Sequence, residues 1–298
     1  MSAPQTGIAR RSAQPATVES GLAQGVRSLF THSGSPQLDA EVLLSSVLGV
    51  GRSGLIARGS ELLADPELAL YRNLLEERRR GMPVAYLTGR REFWSLPLKV
   101  TPAVLVPRPE TERLVEVALE HIPISAERAV LDLGTGSGAV ALAIGSERAH
   151  ARVLGVDVSP GALSVARDNA RALALPNVTF RLGSWFDAVP DEVFDLVVAN
   201  PPYIAERDPA LAALAAEPEL ALVAGPAGLD ALAAIIEAAP PHLSRGGWLL
   251  LEHGSTQQHA VAQLLERRGF AGIACHLDYS GLPRVTRGVY SPPLKERT

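Results

Sequence analysis

Hydrophobic residues recur every three to four positions between residues 17 and 81, which is the spacing of one face of an α-helix. A second helical stretch follows Ser35-Pro36 and runs to Gly49, and a third follows Asp65-Pro66 and runs to Gly81. A capping side chain followed by proline marks a helix start, and glycine marks a helix end. These segments predict a small helical bundle. The apolar stripe of the first helix consists of Val18, Leu22, Val26, Leu29 and Phe30.

The pattern changes between Gly81 and Pro109, where aromatic and β-branched residues are interrupted by glycine and proline. Short strands or a hairpin linking two domains are the natural interpretation of this stretch. Residues 110–122 then return to helical periodicity.

Short, wholly apolar segments alternate with amphipathic helical segments in the rest of the chain, which predicts an α/β fold with a doubly wound, mostly parallel sheet. We therefore expect a helical domain at residues 1–85, a hairpin-like connector at 86–108 and an α/β domain at 109–298. The predicted strands are residues 129–133, 153–156, 178–182, 194–199 and 246–252, and the clearest helices between them are residues 139–149 and 161–173.

Composition and charge exclude several classes of protein and several kinds of site. The chain has 298 residues, of which 47% are apolar, and a formal charge of −4, which argues against a protein that grips a long phosphate backbone. Cys275 is the only cysteine, so an internal disulfide and a cysteine-based zinc site are excluded, and no histidine pair has metal-ligand spacing. The N-terminus through residue 20 is expected to be a disordered tail, and no stretch has the roughly 20 apolar residues of a membrane span. We expect a cytoplasmic protein without a metal.

A glycine-rich segment, DLGTGSG at residues 132–138, lies where the first predicted strand turns into a helix. Glycines at alternate positions allow a sharp turn and let a ligand approach closer than a Cβ atom permits. The segment also satisfies the pattern of dinucleotide-binding folds, and glycine kept only for close packing is the structural alternative. The predicted cofactor-binding residues are Asp132, Gly134, Thr135, Gly136, Ser137 and Gly138.

Asp157 ends the second predicted strand, 19 residues after Gly138. A carboxylate in this position is placed to accept hydrogen bonds from both hydroxyls of a ribose. The structural alternative is that Asp157 only caps the helix after Ser159. The glycine loop and the carboxylate together indicate an adenosine-containing cofactor, either a nicotinamide dinucleotide or S-adenosylmethionine.

The tetrapeptide Asn200-Pro201-Pro202-Tyr203 follows the apolar strand 194–199, and ligands of doubly wound sheets bind beyond the carboxyl ends of the strands. Two prolines stiffen the turn and remove two backbone donors. A planar NH2 group would donate one hydrogen to the Asn200 side-chain oxygen and the other to the Pro201 carbonyl, while Tyr203 stacks on its plane. Such a clamp raises electron density at an amide nitrogen and aims it at an electrophile, for which a sulfonium methyl group is suited. Unless the tetrapeptide is only a rigid turn, it favours methyl transfer over hydride transfer.

With these motifs the sequence resembles the HemK-type peptide chain release factor glutamine methyltransferases, and the resemblance covers nearly the whole chain. Further motifs that carry it are LDAEVLL, PVAYLTGRREFW, PRPETE at residues 107–112, LLLEHG at 249–254 and DYSGLPRV at 278–285. The resemblance implies a Rossmann-like class I methyltransferase fold. It also implies methyl transfer from S-adenosylmethionine to the side-chain amide nitrogen of the glutamine in the Gly-Gly-Gln loop of class 1 release factors. A monomer without direct contact to nucleic acid or membranes is expected.

The resemblance also implies roles for individual residues. Residues 134–138 correspond to the cofactor loop, Asp157 to the ribose carboxylate, and Trp185 to the wall against the adenine, unless Trp185 is an ordinary core residue. Asn200 to Tyr203 correspond to the clamp on the substrate amide, with Asn200 also beside the cofactor. PRPETE has either a structural role, as a stiff acidic helix start, or a part in closing over the cofactor. The resemblance further implies that residues 1–85 recognise the substrate and residues 109–298 form the methyltransferase domain. This chain departs from the family pattern at three positions outside the clamp, with Ser95 where glycine is usual, Ala227 where aspartate is common and Ser255 where many members have tryptophan.

Three other functions compete with this one. A glutamine methyltransferase of a ribosomal protein would carry the same clamp. An amino methyltransferase of nucleic acid would need a basic recognition region, and the net charge of the chain argues against one. A non-catalytic adaptor that senses the cofactor would have no need for an intact clamp.

Overall fold

A computed structural model describes residues 16–291 of the chain, which forms two compact units, Met1–Thr88 and Gly89–Thr298. The expected disordered tail falls largely on residues 1–15 and so lies outside the described residues. The division of the chain into domains with the functions proposed from the sequence stays a prediction. None of the helices within the described range is long and apolar enough to cross a membrane.

Within residues 16–88 the regular structure of the first unit is helical, apart from an isolated bridge between Thr17 and Leu62. The helices are α1 (Val18–Leu29), α2 (Pro36–Leu48), α3 (Arg52–Ala57), α4 (Asp65–Arg79) and α5 (Val84–Thr88). The sequence predicted α1, α2 and α4 but not α3 and α5. These two have only six and five residues, which is too short for an apolar period to show.

Tyr71 of α4 lies at the centre of the core of the first unit and is almost completely buried. Its hydroxyl donates to the carbonyl oxygen of Ala40 over 3.3 Å, and burial raises the pKa of the phenol. A Cβ atom on Gly25 of α1 would lie 2.0 Å from the Tyr71 hydroxyl oxygen. Glycine at position 25 therefore makes room for the ring where α1 crosses it.

Ser35 is the N-cap residue of α2, followed by Pro36 as predicted, but without a side-chain capping bond, whereas the cap predicted at Asp65 is wrong because Ala64 takes that position in α4. The Ser35 hydroxyl donates to Asp39 Oδ1 at 3.1 Å, and its oxygen accepts no hydrogen bond from a backbone nitrogen of the first turn of α2. Arg78 donates to the other oxygen of Asp39 over 2.7 Å and links α2 to α4. Asp65 is the first residue of α4, and the Glu67 carboxylate closes the start of this helix by accepting from the Ala64 backbone nitrogen at 2.8 Å.

The second unit begins with an antiparallel hairpin of β1 (Arg90–Phe93) and β2 (Leu96–Lys99). The predicted connector thus contains a hairpin, but its first residues, 86–88, belong to helix α5. Ser95 lies in the hairpin turn with a φ of 57°. Glycine adopts this left-handed conformation without steric cost, which explains the glycine expected at this position in the family pattern.

A seven-stranded sheet forms the centre of the described part of the second unit. The strands are β3 (Ala129–Leu133), β4 (Arg152–Asp157), β5 (Val178–Leu182), β6 (Phe194–Ala199), β7 (Leu243–Glu252), β8 (Phe270–Leu277) and β9 (Pro283–Tyr290). Their order in the sheet is β5-β4-β3-β6-β7-β9-β8; β3 to β7 are parallel, and β9 is antiparallel to both of its neighbours. The helices are α6 (Glu112–Glu120), α7 (Ala139–Glu147), α8 (Pro160–Ala172), α9 (Asp230–Ala238) and α10 (Gln258–Arg267).

The sheet confirms the predicted doubly wound, mostly parallel α/β fold. Alternate residues of its central strands enter two separate cores, with Val130 of β3 on one face and Leu131 on the other. The first core includes residues of α6 and α7, and the second includes residues of α9 and α10. β3 lies between β4 and β6 and is parallel to both, so the carboxyl ends of the three strands lie at the same edge of the sheet. The glycine loop, Asp157 and Asn200 are located at these ends.

Candidate active site

The glycine loop after β3 has the conformation that its sequence predicts. Gly134, Gly136 and Gly138 have φ angles of 70°, 57° and 83°, in the region that favours glycine. A Cβ atom on Gly136 would meet no atom within 4 Å, so the loop is open at this point. At Gly138 a Cβ atom would lie 3.0 Å from Leu142 and 3.2 Å from Phe180, which means that the third glycine serves the packing of α7.

Asp132, the last polar residue of β3, is buried beneath this loop. Its Oδ2 accepts from the Thr135 hydroxyl at 2.6 Å and from the Ala141 backbone nitrogen at 3.2 Å. Burial raises the pKa of the carboxyl to about 7, although both hydrogen bonds lower it. Asp132 therefore ties the loop to the first turn of α7.

Asp157, at the end of β4, is tied to the same loop. Its Oδ2 accepts from the Gly136 backbone nitrogen at 2.8 Å, and its Oδ1 accepts from the Ser159 nitrogen at 2.9 Å. The helix cap after β4 is provided by Ser159, whose hydroxyl accepts from the Ala162 nitrogen at 3.1 Å. Asp157 thus organises the turns around it, and its role toward a ribose stays a prediction.

These residues border a cavity of about 360 Å³. Most of the site residues predicted from the sequence line it, but Gly138, Pro201 and Tyr203 do not. Trp185 lines the cavity and also packs against the core, beside Gly134, whose Cβ atom would lie 3.4 Å from the indole. The predicted residues that line the cavity are Asp132, Gly134, Thr135, Gly136, Ser137, Asp157, Trp185, Asn200 and Pro202.

The Asn-Pro-Pro-Tyr segment follows β6. The side chains of Asn200 and Tyr203 both form hydrogen bonds with residues that the sequence analysis did not identify as their partners. Asn200 Nδ2 donates to the Thr111 hydroxyl over 3.1 Å. The Tyr203 hydroxyl donates to Glu252 Oε1 over 3.3 Å, and its ring packs against the core. Burial raises the pKa of the Tyr203 phenol, and the Glu252 carboxyl adds to this effect.

Glu252, the last residue of β7, is fully buried behind the tetrapeptide. Burial raises the pKa of its carboxyl to about 7, while the Arg284 cation and the Tyr203 hydroxyl act in the opposite direction. Its Oε2 has no hydrogen-bond partner among residues 16–291. The Arg284 guanidinium links two chain segments. It donates to the His253 carbonyl oxygen at 3.3 Å and forms an ion pair with Asp278 at 3.1 Å. The family motifs LLLEHG and DYSGLPRV therefore meet behind the site.

One wall of the cavity consists of two loops, residues 103–108 and 218–223, which sequence reasoning did not assign. Glu217 joins them: its carboxylate accepts from the Val106 backbone nitrogen at 3.0 Å and forms an ion pair with Arg108. The Glu217 side chain is only 3% exposed and that of Arg108 33%. The motif PRPETE supplied the only sequence signal for this wall, and Pro107, Arg108 and Thr111 of it line the cavity.

We expect Arg108→Ala to destabilise the second unit by about 2 kcal/mol, because the change leaves the buried Glu217 carboxylate without its cation. The partial exposure of Arg108 keeps the effect below that of a fully buried pair. All three tryptophans, Trp94, Trp185 and Trp248, lie in this unit, so tryptophan fluorescence during urea unfolding reports on it selectively. The matched control is Arg171→Ala, which breaks an exposed ion pair with Asp168 and is expected to change stability by less than about 0.5 kcal/mol. Equal effects of the two changes would contradict the role of Glu217.

Comparison with known proteins places these features in a family. The model of the PrmC N-terminal domain matches residues 22–89, and a methyltransferase domain model matches residues 124–269. The release factor glutamine methyltransferase of Aliivibrio fischeri is 45% identical over 276 residues, which cover 91% of this chain and 97% of that protein. The protein of the same name from Escherichia coli is 46% identical over 260 residues, covering 87% and 94% of the two chains.

A solved structure supports the fold independently. The methyltransferase of Pyrococcus furiosus aligns with a TM-score of 0.51 at 16% sequence identity, over 66% of this chain and 90% of that one. The two bacterial relatives show more than the fold, because their sequence similarity to this chain extends over both units. The chain belongs to the family of release factor glutamine methyltransferases.

Proposed function

We propose that this protein transfers a methyl group from S-adenosylmethionine to the side-chain amide nitrogen of the glutamine in the Gly-Gly-Gln loop of class 1 release factors. The observation that carries the proposal is the position of Asn200 on the wall of the cavity, with its amide nitrogen bound by Thr111. This arrangement supports a site that accepts hydrogen bonds from an amide and holds it beside a bound cofactor.

The cavity fits S-adenosylmethionine in size and in chemistry. It is bordered by the open backbone at Gly136, by the Asp157 carboxylate and by the Trp185 indole, which suit the amino acid, ribose and adenine parts of such a molecule. S-adenosylmethionine supplies, when bound, a methyl group on a positively charged sulfur. Gly134 and Gly136 let the backbone approach the ligand, and Asp157 accepts hydrogen bonds from the ribose.

Asn200 and Pro201 orient the substrate amide. Neither Asn200 Oδ1 nor the Pro201 carbonyl oxygen has a hydrogen-bond partner among residues 16–291; Asn200 borders the cavity, whereas Pro201 is buried beside it. Each accepts one hydrogen of the substrate NH2 group, which directs the nitrogen lone pair along a fixed line. Tyr203, whose ring packs against the core outside the cavity and whose hydroxyl donates to Glu252, holds the turn that carries these acceptors in place.

Labelling tests the proposal directly. The full-length protein is incubated with methyl-labelled S-adenosylmethionine and, in separate reactions, with a purified class 1 release factor, a ribosomal protein fraction and DNA. We expect label in the release factor, on the glutamine of Gly-Gly-Gln, mapped by mass spectrometry of the peptides. Label confined to the ribosomal protein or to DNA would overturn the substrate assignment.

Asp157→Ala is expected to weaken S-adenosylmethionine binding by about 1.5–3 kcal/mol, because the ribose loses charge-assisted hydrogen bonds and the loop at Gly136 loses its acceptor. Isothermal titration calorimetry measures this change. The control is Asp168→Ala, which removes an exposed carboxylate paired with Lys99 and Arg171 away from the cavity. Unchanged affinity in Asp157→Ala would reject the ribose role.

A further inference from the structure

The side chain of Gln257, just before α10, reaches the turn of residues 200–203. Its Nε2 donates to the Tyr203 carbonyl oxygen at 3.0 Å and to the Gly228 carbonyl oxygen at 3.1 Å. Its Oε1 accepts from the Gly254 backbone nitrogen at 2.8 Å. One side-chain amide therefore joins the Asn-Pro-Pro-Tyr turn to the loop before α9 and to the turn after β7.

The groups around the Gln257 amide define which of its ends is nitrogen. The carbonyl oxygens of Tyr203, Gly228 and Ala227, the last at 3.4 Å, surround Nε2, whereas a backbone N–H group faces Oε1. Rotation of the amide by half a turn would place its oxygen against acceptors and its NH2 group against a donor. These partners are backbone groups, so the contact at position 227 is kept although this chain has alanine there in place of the aspartate common in the family.

Two glycines leave room for the Gln257 side chain. A Cβ atom on Gly228 would lie 2.2 Å from the Tyr203 carbonyl oxygen and 3.0 Å from Gln257 Nε2. A Cβ atom on Gly254 would lie 3.1 Å from Gln257 Oε1. The close approach of the three segments therefore depends on glycine at both positions.

The turn itself has few groups that can anchor its backbone. Pro201 and Pro202 have no N–H group, so this stretch of backbone is held mainly through its carbonyl oxygens, and these need a donor. At Tyr203 the Gln257 NH2 group is that donor. The carboxyl end of the turn is thus fixed by a side chain that lies 54 residues further along the chain.

We propose that Gln257 is a positioning residue: by binding the Tyr203 carbonyl oxygen it fixes the turn of residues 200–203, which carries the two acceptors for the substrate amide. The inference rests on the proposed function and deepens it. Gln257 does not border the cavity, so it acts through the turn and not on the cofactor. Both hydrogens of the substrate amide find their acceptors only if the turn keeps its shape, so loosening the turn lowers turnover more than cofactor affinity.

The first test separates the two ends of the Gln257 side chain. Gln257→Glu keeps an oxygen for the Gly254 nitrogen but replaces the NH2 donor with a second oxygen, and Gln257→Met fills similar space without either group. We expect kcat on a release factor to fall about tenfold or more in both variants, which corresponds to at least one lost hydrogen bond. Near-native kcat in Gln257→Glu would show that only the bond to Gly254 matters and would overturn the proposal. Near-native kcat in Gln257→Met would overturn it as well, and this neutral variant decides the question if the carboxylate prevents folding.

Cofactor affinity distinguishes positioning of the turn from a general loss of structure. Calorimetry should show little change in S-adenosylmethionine affinity in Gln257→Met. A loss of affinity as large as the loss of kcat would mean that Gln257 supports the whole cavity, and this would contradict the proposal. The matched control is Gln263→Met, which removes an exposed amide bonded to His259 on the same helix and should leave kcat within about twofold of the native value.

A second substrate tests whether Gln257 acts in the pocket. The loss of kcat should be the same on a short Gly-Gly-Gln peptide as on the intact release factor, because the turn belongs to the pocket. Gln257 is partly exposed, and a loss confined to the release factor would show that it contacts the partner directly, which would overturn the proposal. Failure of the native enzyme to label the glutamine would instead refute the proposed function itself, and so the two failures are distinguishable.

Discussion

Asn200→Ala is expected to lower kcat on a release factor by roughly a hundredfold to a thousandfold, the range found when a preorganised hydrogen-bonding group is removed from a site of charge development. The methyl side chain of alanine offers no acceptor, and the substrate amide keeps only the Pro201 carbonyl. Affinity for S-adenosylmethionine should fall far less, because most of the cavity wall consists of other residues. Single-turnover kinetics and calorimetry on the same preparation separate the two quantities.

A matched control for this change is Asn177→Ala. Asn177 Nδ2 donates to the carbonyl oxygens of Gly145, Arg148 and Ala151, and the residue does not border the cavity. We expect this variant to be less stable to urea but to keep near-native kcat at low temperature. Near-native turnover in Asn200→Ala, or a comparable loss of turnover in both variants, would show that the clamp mechanism is wrong.

Deletion of residues 1–88 is expected to reduce kcat/KM on the intact release factor by about a hundredfold or more, equivalent to roughly 3 kcal/mol of lost binding energy. A single glutamine side chain is too small to identify one protein among many, so specificity must come from surface outside the pocket at Asn200. The helical unit is the part of the chain outside the methyltransferase domain match, and we propose that it provides this surface. S-adenosylmethionine binding should be largely retained, which also verifies that the second unit remains folded.

The discriminating comparison uses a short Gly-Gly-Gln peptide as a second substrate. The peptide cannot reach a distant recognition surface, and its slow methylation should change much less on deletion than that of the protein. Equal losses on peptide and protein would mean that the helical unit supports the fold or the chemistry of the second unit and does not recognise the partner.

The sequence predicts those parts of the site that depend on local constraints. The glycine loop and Asp157 follow apolar strands, and Asn200 follows β6, whose bounds at Phe194 and Ala199 were predicted from the sequence and match the structure. Strand ends in a parallel sheet share an edge, so the convergence of these residues followed from the fold class.

The supporting contacts were not predicted because they join distant parts of the chain. Thr111 lies 89 residues before Asn200, and no periodic pattern relates the two. Glu252 is the polar end of an apolar strand, where an acidic residue would ordinarily be assigned to a solvent-exposed turn. Thr111 lies in the family motif PRPETE and Glu252 in the family motif LLLEHG, but only the structure shows which residues they contact.

The last two strands were also missed, for a different reason. In β8 most residues are partly or fully exposed, and β9 mixes buried and half-buried positions, so neither has the continuous apolar run of β3 or β6. Their polar residues belong to the antiparallel side of the sheet, which the βα alternation of the preceding segments did not anticipate.

We expect a chain that ends before β9 to aggregate, because β9 lies between β7 and β8 in the sheet. Until residues 283–290 pair with β7, the fully buried leucines 249–251 lie on an open sheet edge with unpaired backbone groups. Such an edge is a template for pairing with another molecule. Fragments that stop between residues 253 and 282 should therefore collect in inclusion bodies, while proteolysis beyond residue 290 should leave a dispersed product. Recovery of dispersed protein is therefore expected to depend on β9, none of whose residues borders the cavity.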